Sequence, residues 1–207
     1  MTGARALLAL LLVIWPAALQ AKTLGETRDK ALGTFGAWRT WRSNDGGQEV
    51  CYMTATRVLK STGPQRGQRY LMITHRPVEA STDVFSYGAG DMLEGRHGAR
   101  LTAGKKTFEL FSVRDIAWAR DSMTDHAIAA ALRKDATARL TGYVTVKKHL
   151  RPVSDTFDLT GANAAYAAIG RACGLSAFMP KKTPPKIAAK PVKKAPKHHA
   201  APVKKHL

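Results

Sequence analysis

AWRTWRSNDGGQEVCYMTATRV, residues 37–58, is the stretch that decides the fold. Two segments rich in apolar residues flank NDGG, residues 44–47, which supplies the positive backbone angles of a tight turn. After the turn, the alternate positions Cys51, Met53 and Ala55 are apolar, and the positions between them are polar or aromatic. The sequence therefore predicts a β-hairpin that directs Cys51 toward a core.

The same period of two recurs along most of the chain. Further strands are predicted at 68–76, 82–88, 106–113, 115–119, 137–146 and 153–161, and the glycines between 88 and 104 indicate turns around short strands. The period changes to that of a helix only at 122–135 and 162–173. Because hairpins dominate, we expect a mainly β fold: a single antiparallel β-sandwich or barrel-like domain with one inserted helix and a C-terminal helix.

The first 21 residues have the layout of a secretory signal peptide. Arg5 precedes an apolar run at 6–15, and small residues follow up to Ala21. The run is shorter than the roughly 20 residues that span a bilayer, so we expect export and a periplasmic or secreted protein. An uncleaved N-terminal anchor is the alternative. The predicted divisions are a signal peptide at 1–21, a linker at 22–32, one domain at 33–175 and a tail at 176–207.

A second cysteine ends the predicted closing helix. Tyr166, Ile169 and Cys173 lie on its apolar stripe, and Gly174 follows as a cap. Two inward-facing thiols in an exported protein predict a disulfide between Cys51 and Cys173, tying the last helix to the hairpin. The rival interpretation, one reactive thiol, requires an activating histidine or helix N-terminus, whereas Cys173 is at the opposite helix end.

The tail, residues 176–207, has the composition of a disordered basic segment. Its nine lysines and absence of acids give it +9 of the formal net charge of +18, and six prolines space the lysines. Such a segment cannot bury enough apolar surface to fold, and it is attracted to an anionic envelope surface or polymer. The predicted binding residues are Lys181, Lys182, Lys186, Lys190, Lys193, Lys194, Lys197, Lys204 and Lys205.

No catalytic residue, cofactor or metal is predicted. GARLTAGKKT, residues 98–107, looks like a phosphate-binding loop, but five residues separate its glycines where four are needed, so a hairpin turn is expected. His75, His97, His126 and His149 are scattered and are interpreted as surface or strand-end residues. The tail histidines His198, His199 and His206 lack a folded frame to fix metal geometry.

Aromatic and basic residues alternate at the start of the predicted domain. FGAWRTWR, residues 35–42, could stack on sugars or bases while its arginines pair with phosphate. The interpretation that Phe35, Trp38 and Trp41 are core aromatics at the start of a sheet is favoured. Trp118 is interpreted in the same way.

Four stretches in order carry a family resemblance. They are FGAWRTWRSNDGGQEVCYM, YLMITHRP, FELFSVRDIAWARDSMTDHAIAAALRK and TFDLTGANAAYAAIGRACG. With them the chain resembles the invasion-associated locus B family of bacterial extracytoplasmic proteins over about residues 35–175. The resemblance implies a small, mostly β, exported domain without known catalytic residues, in which Cys51 and Cys173 match the family's flanking cysteines. LTGAN, at 159–163, departs from the Leu-Lys-Gly-Phe-like entry that many members have.

We therefore expect a non-enzymatic exported protein of the cell envelope, in a family named for host interaction, whose basic tail adheres to anionic envelope polymers. Three alternatives stay open: a non-specific nucleic-acid-binding protein, an enzyme of unrecognised mechanism, and a tail that is only a solvated spacer. The protein partner, if any, is not specified by the sequence.

Overall fold

The computed structural model of the chain describes residues 29–175, which form eleven strands and two α-helices. The strands are β1 Lys30–Phe35, β2 Trp38–Asp45, β3 Gln48–Ala55, β4 Val58–Thr62, β5 Tyr70–Arg76, β6 Ser81–Gly88, β7 Ala99–Ala103, β8 Lys106–Val113, β9 Ile116–Trp118, β10 Thr137–Val146 and β11 His149–Asp158. The helices are α1 Ser122–Leu132 and α2 Ala162–Ala172, with short 3-10 turns at Pro77–Glu79 and Gly95–His97.

All strand pairs are antiparallel and form one open sheet. The strand order is β1-β2-β3-β5-β6-β9-β8-β7-β10-β11-β4, which leaves β1 and β4 as edges. Strand β8 joins two halves, because its first part pairs with β7 and its last three residues pair with β9. The prediction of a mainly β antiparallel domain with one inserted and one C-terminal helix is confirmed.

The two halves of the sheet pack against each other around one core. Tyr87 of β6 meets Phe157 of β11 edge-to-face, with ring centroids 6.1 Å apart, and both side chains are buried. Trp38, Met53 and Leu101 are also buried in this core. Alternation along each strand is what sends every second side chain inward, as the sequence pattern predicted.

Helix α1 covers β6, and Asp121 caps its first turn. The side chain of Asp121 accepts a hydrogen bond from the Thr124 backbone N–H at 2.7 Å, and this bond lowers the pKa of the Asp121 carboxyl. Ile128 and Leu132 are fully buried beneath the helix. The helix ends at Leu132, three residues before the end of the predicted range.

Helix α2 approaches the β1–β2 turn so closely that two glycines are required. Ala37 N–H donates to Thr160 O at 2.8 Å. A Cβ on Gly36 would lie 2.2 Å from Thr160 O, and a Cβ on Gly161 would lie 2.1 Å from Phe35 O. Both glycines also have positive φ, so side chains are excluded twice over. The LTGAN entry thus fits the turn it packs against.

Several strand boundaries differ from prediction, and three of these differences, in β1, β3 and β11, bear on the topology. Strand β1 begins at Lys30, inside the range predicted as linker, because pairing with β2 orders a segment that has little alternation of its own. The strand predicted through Val58 ends at Ala55, and Val58 instead opens β4, which pairs with β11 at the far edge. Strand β11 begins at His149, four residues before the predicted start.

The early start of β11 follows from a turn that contains no glycine. Lys147 and Lys148 both have positive φ and join β10 to β11, a conformation that glycine, asparagine or aspartate usually occupies. Pro152 then lies beyond the end of β4, where β11 has a neighbour on one side only and tolerates a missing N–H. Among residues 29–175, no helix is long and apolar enough to cross a membrane.

Candidate functional site

The predicted disulfide is present in the structure. Cys51 of β3 and Cys173, directly after α2, are bonded with their Cα atoms 6.0 Å apart and 122 residues apart in sequence. Both are buried, and neither titrates as a thiol. Glu49 is close to both sulfur atoms, but sulfurs engaged with each other offer no thiolate, so this cluster does not provide a metal site. The disulfide prediction is confirmed and the reactive-thiol alternative is wrong.

A β-bulge beside the disulfide creates the main cluster of titratable groups. The register of β5 and β6 shifts between Thr74 and Arg76, so two residues of β6 oppose His75. Asp83 lies in this bulge with a φ of 64°, which a non-glycine residue rarely adopts. The bulge redirects the Asp83 carboxylate toward both helices.

The Asp83 carboxylate joins groups from distant parts of the chain. Tyr166 of α2 donates its hydroxyl to Asp83 Oδ1 at 2.6 Å, and His126 Nδ1 of α1 lies 2.7 Å from Oδ2. The Asp83 backbone N–H donates to His75 Nδ1 at 3.1 Å. Arg133 lies over the Tyr166 ring, 4.2 Å from its centroid. We call His75, Asp83, His126 and Tyr166 the Asp83 cluster.

The hydrogen bonds fix the protonation of the cluster. Because His75 Nδ1 accepts from a backbone N–H, the neutral imidazole carries its proton on Nε2. Burial lowers the pKa of His75, against the opposing pull of Asp83. Burial, reinforced by the hydrogen bond to Asp83, raises the pKa of Tyr166 well above its usual range. Burial thus favours the neutral form of both the His75 imidazole and the Tyr166 hydroxyl.

The cluster lines a cavity of about 540 Å³, to which Pro77, Gly170 and Leu175 also contribute. His126 contributes an exposed side chain whose Nε2 is not used by Asp83. Such a histidine could accept or donate a proton. The other groups bond to one another, so their main physical effect is to hold β6, α1 and α2 together.

A second polar cluster, around Asp155, is buried. Asp155 of β11 accepts from Arg66 Nη2 at 2.8 Å, from the Tyr87 hydroxyl at 2.5 Å and from Ser61 Oγ at 2.6 Å. The side chains of Arg66 and Asp155 are 1% and 0% exposed. Arg66 also donates to Ala89 O at 2.9 Å. Since every Asp155 oxygen and both terminal Arg66 nitrogens are engaged, we call this the Asp155 network and assign it to stability.

The structure separates the remaining sequence-predicted residues. Trp38 is buried, which confirms the core interpretation, and Trp41 stacks on Tyr52 with ring centroids 6.3 Å apart. His97, His126 and His149 are exposed, as predicted. His75 is 1% exposed, so its interpretation as a surface residue is wrong, although it lies at the end of β5 as the strand-end alternative states. The glycine-rich 98–107 stretch forms the β7–β8 hairpin, as predicted.

The nine predicted binding lysines lie in the tail, outside the described residues. The Asp83 cluster and the Asp155 network were missed by the sequence reasoning. Asp83 and Tyr166 are 83 positions apart, and Arg66 and Asp155 are 89 apart. No spacing motif connects such residues. The one local signal was Arg66 in a polar loop, and arginines in polar loops are common on protein surfaces.

Comparison with known proteins gives one family and one solved structure. The model of the family described as "Invasion associated locus B (IalB) protein" matches residues 38–170, well over half of the chain. The crystal structure of invasion associated protein B from Bartonella henselae aligns with a TM-score of 0.46 and 18% sequence identity, covering 68% of this chain and 95% of that one. No curated protein matches. The family model agrees with the motifs that carry the resemblance, and the chain belongs to the invasion associated locus B family.

Proposed function

We propose that the protein is a non-enzymatic, exported protein of the cell envelope whose basic tail adheres to anionic envelope polymers. The observation that carries the proposal is the charge of the tail, nine lysines without an acid, spaced by six prolines. Each lysine close to an anionic surface contributes about 1 kcal/mol, and the contributions are screened by salt.

One feature of the folded domain supports export, and a second supports retention through the tail. The Cys51–Cys173 disulfide suits an oxidising compartment, since cytosolic thiols are kept reduced. The last described residue, Leu175, comes two positions after Cys173, so the tail leaves the domain next to a covalently fixed point. A segment fixed in this way retains the whole domain wherever the tail adheres.

The test compares envelope retention of three chains expressed in a bacterial host. The first is the full chain, the second has all nine tail lysines replaced by glutamine, and the third ends at residue 175. We expect salt to extract the full chain progressively, and both altered chains to be released at low salt. Equal extraction of all three across salt concentrations would show the tail to be a spacer, which overturns the adhesion proposal.

The same three chains test the nucleic-acid alternative. A tail that acts on nucleic acid binds duplex DNA with a steep salt dependence and leaves retention in the envelope unchanged when its lysines are replaced. For a tail that adheres to the envelope, replacing the lysines should instead lower retention in the envelope. Fractionation of the bacterial host decides between them, because adhesion to DNA alone does not retain a protein in the envelope.

A second candidate function, proton-transfer catalysis, is favoured by the Asp83 cluster. His126 is oriented through Nδ1 by a carboxylate and keeps Nε2 free at a cavity large enough for a small ligand. Among the described lining residues, however, neither histidine hydrogen-bonds to a nucleophilic hydroxyl or thiol. A small-molecule fragment screen followed by NMR is the test, and fragments that shift the His126 and Tyr166 resonances would favour this candidate.

A further inference from the structure

The second half of the sheet carries a groove that no part of the Asp83 cluster or Asp155 network uses. Strands β7, β10, β11 and β4 are successive neighbours there. Arg100 lies opposite Thr141, Thr141 opposite Ser154, and Ser154 opposite Thr62, so these four side chains form one row across the strands. The row spans three strand spacings, roughly 14 Å.

A second row completes the groove. Tyr143 lies opposite Pro152, two positions further along β10 and β11. The His97 ring meets the Tyr143 ring with centroids 5.2 Å apart and closes one end of the row. The groove has a volume of about 640 Å³, which is within the range of ordinary ligand sites.

The groove is rich in basic side chains, one of which is paired with an acid outside it. Arg100, Arg151 and His97 line it, and none of its described lining residues is an aspartate or glutamate. Arg100 bonds through Nε to Glu109 at 2.6 Å, which orients its guanidinium. Arg151 is exposed and makes no salt bridge among residues 29–175.

The positive charge continues beyond the groove. Arg139 and Lys60 face each other across Thr156 in the adjacent row of the same sheet face, and both are exposed. A ligand that follows the rows therefore meets cations along its length. This favours an extended anion over a single small one.

We propose that this groove binds an anionic polysaccharide chain. Sugar hydroxyls both donate and accept hydrogen bonds, and the hydroxyls of Thr62, Thr141 and Ser154 can answer them in either role. Tyr143, 38% exposed, offers an apolar ring face against which a sugar ring can pack. The arginines pair with carboxylate or phosphate groups, for which their planar geometry is suited.

The groove does not have the features of a nucleic-acid track. Proteins that bind single strands stack successive bases on several aromatic side chains, whereas Tyr143 is the sole phenylalanine, tyrosine or tryptophan among the described lining residues. Hydroxyl side chains occupy the positions where such aromatics would lie. The inference rests on the proposed function, since it names the polymer class that the folded domain, as opposed to the tail, would bind.

The test uses the full chain and short oligogalacturonate, a chain of uronic acids, in calorimetric titrations at several salt concentrations. High salt suppresses the tail's contribution. Arg151→Ala should lower the affinity about tenfold, the effect of losing one charge-assisted hydrogen bond. Arg171→Ala is the matched control, because Arg171 is exposed on α2, against the other half of the sheet, and its removal changes net charge equally. The control should bind like the parent chain.

Three results would overturn the proposal: equal losses in the Arg151 and Arg171 variants, equal binding of neutral dextran, or the same variant dependence for duplex DNA or anionic phospholipid vesicles. Circular dichroism melting shows that the variants are folded, and Arg151→Lys should restore part of the affinity. The chain with nine tail lysines replaced by glutamine separates the two proposals. If tail adhesion fails, this chain and the parent still bind oligogalacturonate at high salt, and if the groove fails, retention by the tail is unaffected.

Discussion

The region around the disulfide and the region around Asp155 both join distant segments, but by different physics. The Cys51–Cys173 bond ties α2 to β3 and restricts the unfolded chain, so it needs little from its surroundings in the folded state. The Asp155 network ties β4, β6 and the loop that carries Arg66 to β11 through a charge pair that water does not reach. The stability that the Asp155 network provides depends on every partner remaining in place.

The two regions differ in their sensitivity to the loss of one partner. A covalent link can be lost without leaving an unfavourable group behind, because two reduced thiols are small and tolerate burial. A buried ion pair cannot lose one partner in the same way, since the other charge is left without water or counter-charge. The region around Asp155 should therefore respond more sharply to a single substitution than the region around the disulfide.

The largest effect is expected for Asp155→Ala. The substitution leaves the Arg66 guanidinium buried and unpaired and removes the acceptor of Tyr87 and Ser61, at a cost of about 3–5 kcal/mol in the free energy of unfolding. Urea unfolding followed by circular dichroism measures it. Glu109→Ala, which breaks the exposed pair with Arg100, is the control and should cost at most about 1 kcal/mol. Similar losses in the two variants would contradict the distinction between buried and exposed pairs.

The double substitution Cys51→Ser and Cys173→Ser should have the next largest effect. A loop of this length lowers the entropy of the unfolded chain, and real bridges stabilise proteins by about 2–4 kcal/mol. Urea midpoints of the variant and of the parent chain in reductant should coincide. Hydrogen exchange distinguishes the two variants. The amides of α2 should be the first to lose protection in the double cysteine variant, whereas those of β4 and β11 should do so in Asp155→Ala. A parent chain whose midpoint reductant does not change would rule out stabilisation by the bridge.

The sequence predicted the region around the disulfide better than the region around Asp155. Cysteines in an exported protein are a pairing signal, and the periods around Cys51 and Cys173 turned both inward. The hairpin at 37–58 was predictable because its turn residues and alternation are local. These features need no knowledge of distant contacts.

The Asp155 network and the Asp83 cluster depend on long-range register. Strand β4 reaches β11 only because the sheet folds back on itself, and the polar loop around Arg66 has no periodicity that marks it as buried. Asp83 acquires its role from a bulge, one extra residue in a strand pair, which the pattern of apolar residues does not encode. His75 follows the alternation of side chains along β5. A polar side chain, however, does not indicate which face of the sheet is covered by a helix.

The smallest effect is expected from the pH response of His75, which lies opposite Cys51 across β3 and β5. Burial lowers its pKa, so below the unfolded value of about 6.5 the unfolded chain binds the extra proton and stability falls as pH decreases. Asp83 opposes this effect, while Arg133 and His126 reinforce it. In His75→Asn the amide oxygen can accept the Asp83 N–H without titrating, so the loss of melting temperature between pH 7.5 and pH 5 should be reduced. His149→Asn, at an exposed site, should keep the parent slope. An unchanged slope in His75→Asn would contradict this prediction, because the stability of the region around the disulfide would then not depend on the charge of His75.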